Sequence, residues 1–153
     1  MQSEKEKYLE SLPKKRVGSG ALFLNEQNEV LLVQPTYKDT YEIPGGVVEK
    51  NESPIEACQR EIMEELGLTV TIEKLLIVEY QKQEYDDCFM FIFEGGILRK
   101  EQILQIKLPP QEIKSFGFHP LEMVGKLTQQ RLYQRIVKAI NALEKNQLIY
   151  QES

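Results

Sequence analysis

Residues 46–68, with the sequence GVVEKNESPIEACQREIMEELGL, contain the most informative pattern in the chain. Residues 54–66 within this stretch are predicted to form a helix. Ser53 can cap the first turn, and Pro54 suits the first helical position. Gly67 suits the left-handed conformation that commonly follows a last turn. Both ends of the helix are therefore marked in the sequence.

Three glutamates, Glu61, Glu64 and Glu65, share one face of this helix, because positions i, i+3 and i+4 lie together. Like charges at this spacing cost roughly 0.2–0.5 kcal/mol per pair, and the negative end of the helix dipole disfavours them further. Arg60 is the only cation close by on the helix, and we expect it to point to one side. The acidic face therefore predicts a divalent-cation site, and oxygen ligands select Mg²⁺ or Mn²⁺ over zinc.

The other face of the helix is apolar. Ile55, Ile62 and Leu66 are expected to be buried there. The small side chains of Ala57 and Cys58 are expected to lie beside the acids and to leave room above them. We therefore expect the core face and the acidic face to be separate.

The segment before the helix contains Pro44-Gly45-Gly46, where the backbone can approach a ligand without interference from side chains. The Gly45 carbonyl is a candidate metal ligand, and freed amides could meet phosphate oxygens. Alone, this tripeptide is typical of an ordinary turn. Mg²⁺ is commonly held by a few carboxylates plus substrate phosphates. The position of the tripeptide beside the acidic face therefore favours phosphoryl chemistry.

The composition indicates one soluble globular domain covering residues 1–153, with an apolar fraction of 41% and a net charge of −5. The acidic balance disfavours non-specific binding to nucleic acids and to anionic membranes. The longest apolar run, Cys88–Phe93, is far shorter than the roughly 20 residues that span a bilayer. The charged N-terminus lacks a signal-peptide core, and Cys58 lacks metal-ligand spacing to Cys88. We expect a cytoplasmic protein with reduced thiols.

Apolar patterning predicts helices that frame a mixed sheet, which is an α/β (α+β) fold. The N-terminal segment, residues 1–15, precedes the sheet. The predicted elements are a short helix over 4–12, a hairpin turning at Asn25–Asn28, an extended segment Tyr41–Val48, strands over Val70–Tyr80, Cys88–Glu94, Ile103–Leu108 and Ile113–Phe118, and an amphipathic final helix over about 128–147.

The stretch from residue 46 to residue 68 matches the pattern G-x5-E-x7-R-E-U-x-E-E-x-G-U, where U is a bulky aliphatic residue. The matching positions are Gly46, Glu52, Arg60, Glu61, Ile62, Glu64, Glu65, Gly67 and Leu68. This pattern resembles the Nudix box, and the chain is identified as a member of the Nudix family on these residues. The resemblance implies an α/β/α sandwich around a mixed β-sheet. It also implies Mg²⁺-dependent hydrolysis of a nucleoside diphosphate linked to another moiety.

Site roles follow from the resemblance where residues match. Metal binding is implied for Glu61, Glu64, Glu65 and the Gly45 carbonyl. Glu52 and Arg60 resemble the pair that orients the loop against the helix. Gly46 and Gly67 have backbone roles, while Ile62 and Leu68 belong to the core.

The general base and the substrate are less defined. Glu61 is the first candidate for the base, and Glu112, which precedes the segment IKSFGF, is the second. Many relatives have tryptophan where Tyr41 stands in YEIPGG, and packing beneath the loop is the expected role of this tyrosine. Tyr37 and Tyr41 are alternatively candidates to stack a base, since aromatic faces suit nucleobases. No sequence downstream of the box identifies the substrate.

Other readings are weaker. A non-catalytic nucleotide-binding or regulatory Nudix domain would have lost acids that this chain retains. An isomerase of isoprenoid diphosphates would need an acid–base pair, often including cysteine, and Cys58 and Cys88 stand in apolar contexts. An RNA-decapping enzyme is disfavoured by the acidic charge. Dimerisation is common in the family and the final helix could serve it, although such an apolar stripe more often belongs to the core.

Overall fold

The computed structural model describes residues 1–153 as a seven-stranded mixed sheet with helices on both faces. This confirms the α/β/α sandwich expected from the sequence. The elements are α1 (Glu4–Ser11), β1 (Arg16–Leu24), β2 (Val30–Pro35), β3 (Gly45–Val47), α2 (Pro54–Leu66), β4 (Leu75–Gln81), β5 (Cys88–Ile97), α3 (Lys100–Ile103), β6 (Ile113–His119), α4 (Leu121–Leu127), α5 (Gln130–Lys145) and β7 (Ile149–Glu152).

The strand order is β6-β2-β1-β5-β4-β7, with β3 paired to β1. The pairs β1–β5 and β4–β7 are parallel, and the remaining pairs are antiparallel. The predicted hairpin is confirmed: the Asn25 side chain accepts hydrogen bonds from the backbone N–H groups of Gln27 and Glu29, at 3.0 and 2.8 Å. These bonds close the turn that joins β1 to β2.

The two strands of this hairpin separate soon after the turn, and the Pro-Gly-Gly segment fills the space between them. Their single direct partner pair is Leu24 with Val30. Beyond it, Val33 bridges to Glu42, and the Ala21 N–H donates to the Pro44 carbonyl at 3.0 Å. The glycine-rich segment is therefore held within the sheet.

Two apolar clusters, one on each face of the sheet, form the core. The first packs α2 against the sheet, through residues such as Ile62 and Leu66. The second packs α4 and α5, and it includes Leu132 and Ile136. Fully burying one such side chain contributes about 1.5–3 kcal/mol. The apolar stripe of α5 packs against its own sheet.

Two strand predictions need correction. The strand predicted over Ile103–Leu108 is wrong, because α3 ends at Ile103 and the residues after it form no strand. The side chains of Ile103, Ile106 and Leu108 pack against the first apolar cluster. The strand predicted over Val70–Tyr80 begins only at Leu75. Ile72 is buried, but its N–H donates to the Gln59 side chain at 2.9 Å rather than to a neighbouring strand.

The final helix predicted over about 128–147 is confirmed as α5, which covers Gln130–Lys145. A shorter helix, α4, precedes it and ends at Leu127, and the sequence does not predict it. The edge strand β7 was not predicted. The first helix, α1, forms nearly as expected and has no buried residue. None of the helices combines the length and apolar character that a membrane span requires.

Candidate active site

Both ends of α2 are fixed by local interactions. Ser53 Oγ accepts a hydrogen bond from the Glu56 N–H at 3.1 Å, and the Glu56 carboxylate accepts one from the Ser53 N–H at 2.8 Å. Gly67 ends the helix with φ 69°, a left-handed conformation that glycine adopts without strain. The register of the glutamates on α2 is therefore set by its caps.

Arg60 joins α2 to the loop that precedes it. Its Nε donates to Glu52 Oε1 at 2.7 Å, and its Nη2 donates to Glu52 Oε2 at 3.0 Å. The same Nη2 donates to the Val47 carbonyl at 3.1 Å. This forked pair lowers the pKa of Glu52, chiefly through the hydrogen bonds from Arg60. The structure places Glu52 and Arg60 in the supporting arrangement that the family resemblance implies.

The third nitrogen of Arg60 reaches the acidic face. Nη1 donates to Glu61 Oε1 at 2.8 Å and lies 3.4 Å from a Glu64 oxygen. The expectation that Arg60 points to one side is therefore wrong, because its planar fork of five N–H groups serves the loop and the acids together. Arg60 offsets part of the repulsion between the glutamates.

Glu65 is buried rather than displayed on a surface. Its exposure is 8%, Oε1 lies 3.5 Å from the Gly45 nitrogen, and Oε2 has no hydrogen-bond partner. Burial raises the pKa of Glu65 to about 8, and the neighbouring Glu61 carboxylate raises it further. Burial also raises the pKa of Glu61, although Arg60 opposes the shift.

The predicted separation of an acidic face from a core face is thus incorrect. Ala57 and Cys58 are fully buried in the core rather than lying open beside the acids. A core-facing stripe on a helix is at least 100° wide, so it extends as far as Glu65. Burial also raises the pKa of the Cys58 thiol to about 11, which keeps it protonated and inert.

Gly46 lies directly against the Glu61 carboxylate. A Cβ at this position would overlap the carboxylate carbon and one of its oxygens. Only glycine therefore allows the backbone of β3 to approach α2 this closely. This close approach accounts for the glycine that begins the box.

These groups border a cavity of about 330 Å³, here called the acidic cavity. It brings Glu61 and Glu65 together with Gly45, Gly46 and the exposed Glu112. The full lining is Val33, Pro35, Tyr37, Glu42, Ile43, Gly45, Gly46, Glu61, Glu65, Gln111, Glu112 and Ile113.

Several predicted site residues line neither this cavity nor the one described next, namely Glu64, Tyr41, Arg60, Glu52 and Gly67. The Glu64 side chain is 50% exposed and lies beside Arg60. Tyr41 packs edge-to-face on His119, with ring centroids 5.9 Å apart, and its N–H donates to the Leu127 carbonyl at 2.9 Å. Tyr41 therefore packs against His119 and the second apolar cluster, and it faces neither cavity.

A second cavity of about 280 Å³, here called the sheet cavity, lies on the other side of the Pro-Gly-Gly segment. Tyr37, Glu42, Ile43, Gly45 and Gly46 line both cavities. The residues that line the sheet cavity alone are Arg16, Gly18, Ser19, Gly20, Lys38, Val47, Met90, Ile92, Leu132 and Arg135.

Four charged residues of these cavities, Arg16, Lys38, Glu42 and Arg135, are not among the site residues that the sequence predicts. Glu42 directly precedes the Ile-Pro-Gly-Gly segment, and this position in the sequence is the feature that indicates a place at the site. Arg135 reads in sequence as a polar residue on an amphipathic helix, yet its exposure is only 6%. No local pattern distinguishes it from the exposed Arg131 one turn earlier.

The donor set fits a hard divalent cation. The Glu65 Oε2 atom is buried without a partner, the nearby donors are carboxylate oxygens, and the Gly45-Gly46 backbone borders the same space. No three acidic side chains converge into a ready-made cage. Such a cation would therefore share Glu61 and Glu65 and draw further oxygens from its surroundings, since Mg²⁺ usually keeps waters and substrate phosphates.

Comparison with known proteins gives a consistent result. A family profile described as NUDIX domain matches residues 14–140. The 8-oxo-dGDP phosphatase NUDT18 of Mus musculus is 32% identical over 135 residues, covering 76% of this chain and 41% of that protein. The chain therefore spans less than half the length of this relative.

Solved structures show the same fold at lower sequence identity. A UDP-X diphosphatase has a TM-score of 0.73 at 20% identity, covering 98% of this chain and 76% of that one. The MutT protein of Methanosarcina mazei Go1 has a TM-score of 0.69 at 23% identity, covering 89% and 99%.

Proposed function

This chain belongs to the Nudix family, and from that premise we propose that it is a Mg²⁺- or Mn²⁺-dependent hydrolase of a nucleoside diphosphate linked to another moiety. The observation that carries the proposal is the Glu65 carboxyl, buried with an unpartnered oxygen beside Glu61 at the Gly45-Gly46 backbone. A carboxylate that gains no partner within the protein is costly to bury, so a cation at this position would account for it.

We assign the metal to Glu61, Glu65 and the Gly45 carbonyl, with Glu64 as an additional ligand. When bound, a divalent cation neutralises phosphate charge and acidifies water. Arg60 and Glu52 hold the loop and α2 in register, which is a positioning role. The Gly45 N–H, which lies 3.5 Å from Glu65 Oε1, would meet a phosphate oxygen in place of that weak contact.

The reaction is hydrolysis of a phosphoanhydride. A water oxygen bonds to phosphorus, the P–O bond to the bridging oxygen breaks, and a carboxylate takes the proton of the water. Glu61 and Glu112 are the two candidate bases, and both line the acidic cavity. Glu112 is exposed and carries no ion pair, whereas Glu61 accepts a hydrogen bond from Arg60.

The two cavities suit the two ends of such a substrate. The diphosphate would lie in the acidic cavity, and the nucleoside would enter the sheet cavity across the shared Gly45-Gly46 wall. Tyr37, at the mouth of both cavities, could stack a base. The name of the mouse relative makes oxidised guanine nucleotides the first compounds to test.

Residues 1–153 would act as one domain on a small nucleotide rather than on a nucleic acid, in keeping with the net charge of −5. The two free, buried cysteines are compatible with a reducing compartment such as the cytoplasm. We assign no oligomeric state.

A substrate panel with Mg²⁺ and with Mn²⁺ tests the proposal. It contains nucleoside di- and triphosphates, their oxidised forms, ADP-ribose, sugar nucleotides and diadenosine polyphosphates, with products identified by mass spectrometry. Glu64→Gln and Glu65→Gln should lose metal-dependent cleavage while remaining folded. Glu56→Gln is the matched control, because it changes an exposed acid on the same helix and preserves the cap.

Cleavage by the wild type and by Glu56→Gln, but not by the two site variants, would support the hydrolase. A folded wild-type protein that binds nucleotides without cleaving any of them would instead favour the non-catalytic binding role. Full activity in Glu65→Gln would show that the metal site is wrongly assigned.

A further inference from the structure

Arg135 forms a buried ion pair with Glu79 at the inner end of the sheet cavity. The two side chains are 7% and 2% exposed. Arg135 Nε donates to Glu79 Oε2 at 3.0 Å, and Nη2 donates to the same oxygen. These two hydrogen bonds fix the Nε–Nη2 edge of the guanidinium against β4.

Glu79 is itself held by two amides. Gln81 Nε2 donates to Oε2 at 3.1 Å, and Gln151 Nε2 donates to Oε1. Burial would raise the pKa of Glu79, but the hydrogen bonds and charge of Arg135 outweigh it, so the pKa is lowered. Glu79 is therefore an ionised, fully engaged carboxylate that orients Arg135.

One nitrogen of Arg135 remains available. Nη1 makes no hydrogen bond within the protein, and it is not among the polar atoms that are sealed from solvent. Arg135 lines the sheet cavity, whereas Glu79 does not. A buried guanidinium that borders a cavity in a fixed orientation can present N–H groups to a ligand with little loss of side-chain entropy.

The other charges of the sheet cavity are already paired near its mouth. Arg16 Nη2 lies 2.8 Å from Asp86, and Lys38 pairs with Glu42. Most of the remaining wall is apolar or lacks side chains, as at Ile92 and Gly20. The Ser19 hydroxyl, which also lines the cavity, already donates to the Pro54 carbonyl at 2.6 Å. A flat ring would therefore meet Arg135 as the free hydrogen-bonding group at the inner end.

We infer that Arg135 is a specificity-determining residue that reads the hydrogen-bond acceptor edge of a keto purine, and that Glu79 is its positioning residue. The inference rests on the proposed function, because it assigns the nucleoside to the sheet cavity. Guanine presents acceptors at O6 and N7, which arginine recognises, whereas adenine places an amino donor beside N7. That amino group would face the N–H groups of Arg135 without an acceptor.

The pair need not be retained for stability alone. Replacing both partners of a buried ion pair with neutral groups is often neutral or stabilising, whereas removing one partner leaves a buried charge and is strongly destabilising. The double variant Glu79→Gln with Arg135→Gln is therefore the appropriate test. Arg135→Lys, which keeps the charge but loses the fork, is the second variant.

The experiment measures the Kd of GMP and of AMP by calorimetry without metal, so that no turnover is required. The wild type should bind GMP about tenfold more tightly than AMP. The double variant should bring this ratio close to one, and Arg135→Lys, which keeps N–H donors but loses the fork, should lower it. Arg131→Gln, an exposed arginine one turn away on α5, is the control and should keep the wild-type ratio. Circular dichroism verifies folding.

A wild type that binds neither nucleotide, or binds AMP at least as tightly as GMP, would overturn the inference. So would a wild-type ratio preserved in Arg135→Lys. Glu64→Gln separates this outcome from failure of the proposed function: it should lose hydrolysis and keep the GMP preference. If the wild type hydrolyses substrates without any guanine preference, the hydrolase stands and the role of Arg135 falls.

Discussion

Glu65 Oε1 lies 3.5 Å from the backbone nitrogen of Gly45, and this approach links the end of α2 to the strand between the two cavities. It places a buried acid against backbone that has no side chain to exclude a ligand. The carboxyl is stabilised by one weak contact within the protein, which leaves its ionisation dependent on what else is bound. Most of the predictions below concern groups around this contact.

Without metal, the protein should lose stability as the pH rises from about 4.5 towards 8, since the pKa of Glu65 is raised from 4.5 to about 8. A group whose pKa is higher in the folded state than in the unfolded state stabilises the fold most at pH values below its unfolded-state pKa. This contribution is lost as the pH rises through the folded-state pKa. The loss from Glu65 is at most about 1.4 kcal/mol per pH unit in this window. Urea denaturation in EDTA at pH 5 and pH 8 measures it.

Glu65→Gln should flatten this pH dependence and should exceed the wild type in stability at pH 8 without metal. Glu56→Gln, on the exposed part of the same helix, should keep the wild-type slope. Equal slopes in the wild type and Glu65→Gln would mean that Glu65 is not the group responsible.

Arg60→Lys should lower the apparent affinity for Mg²⁺, so that activity requires a higher Mg²⁺ concentration. Lysine is a point charge that cannot hold Glu52 through two parallel hydrogen bonds while also reaching Glu61. Loss of a group that orients metal ligands typically costs 10–100-fold in metal affinity or activity. Titration of turnover with Mg²⁺ gives the shift, and Arg131→Lys, at an exposed site on α5, should show none.

Gly46→Ala should impair activity more than the size of a methyl group suggests. The added Cβ would collide with the Glu61 carboxylate, so either β3 or the Glu61 side chain must move. We expect a loss of at least about tenfold in kcat/KM, since small misplacements of catalytic groups are costly. A variant crystal structure with Glu61 unmoved and activity intact would disprove this reading.

The general base can be identified by comparing Glu61→Gln with Glu112→Gln. General-base catalysis contributes typically 10²–10⁴-fold, so removal of the base should lower kcat by that range and abolish the acidic limb of the pH–rate profile. Removal of a metal ligand should instead be relieved in part by higher Mn²⁺. A variant that keeps the acidic limb still contains the general base, so the residue replaced in it is not the base. Glu73→Gln, at an exposed site, is the control.

The sequence predicts the central helix and the sandwich well because their signals are local. The Ser53 cap, the Gly67 terminus and the 3.6-residue spacing of the acids all lie within one short segment. The edge strand Ile149–Glu152 escapes prediction because four residues carry little periodicity, and its formation depends on β4, far away in the chain.

The same reason explains what was missed at the site. Arg135 becomes a buried group only through Glu79, 56 residues earlier in the chain. The burial of Glu65 depends on how α2 lies on the sheet, and a helical face drawn from spacing alone does not reveal it. Arg60 was misjudged because its reach to both Glu52 and Glu61 depends on the path of the loop.

The parting of β1 and β2 after the single pair of Leu24 with Val30 has a mechanical consequence. The backbone from Glu42 to Gly46 that fills this opening is a common partition, with a chamber on each side. Because this backbone is hydrogen-bonded to β1 on one side and to β2 on the other, it is a fixed wall for both chambers. A bipartite compound that occupies both chambers would contact the same backbone from two sides, whereas either half alone would contact it from one.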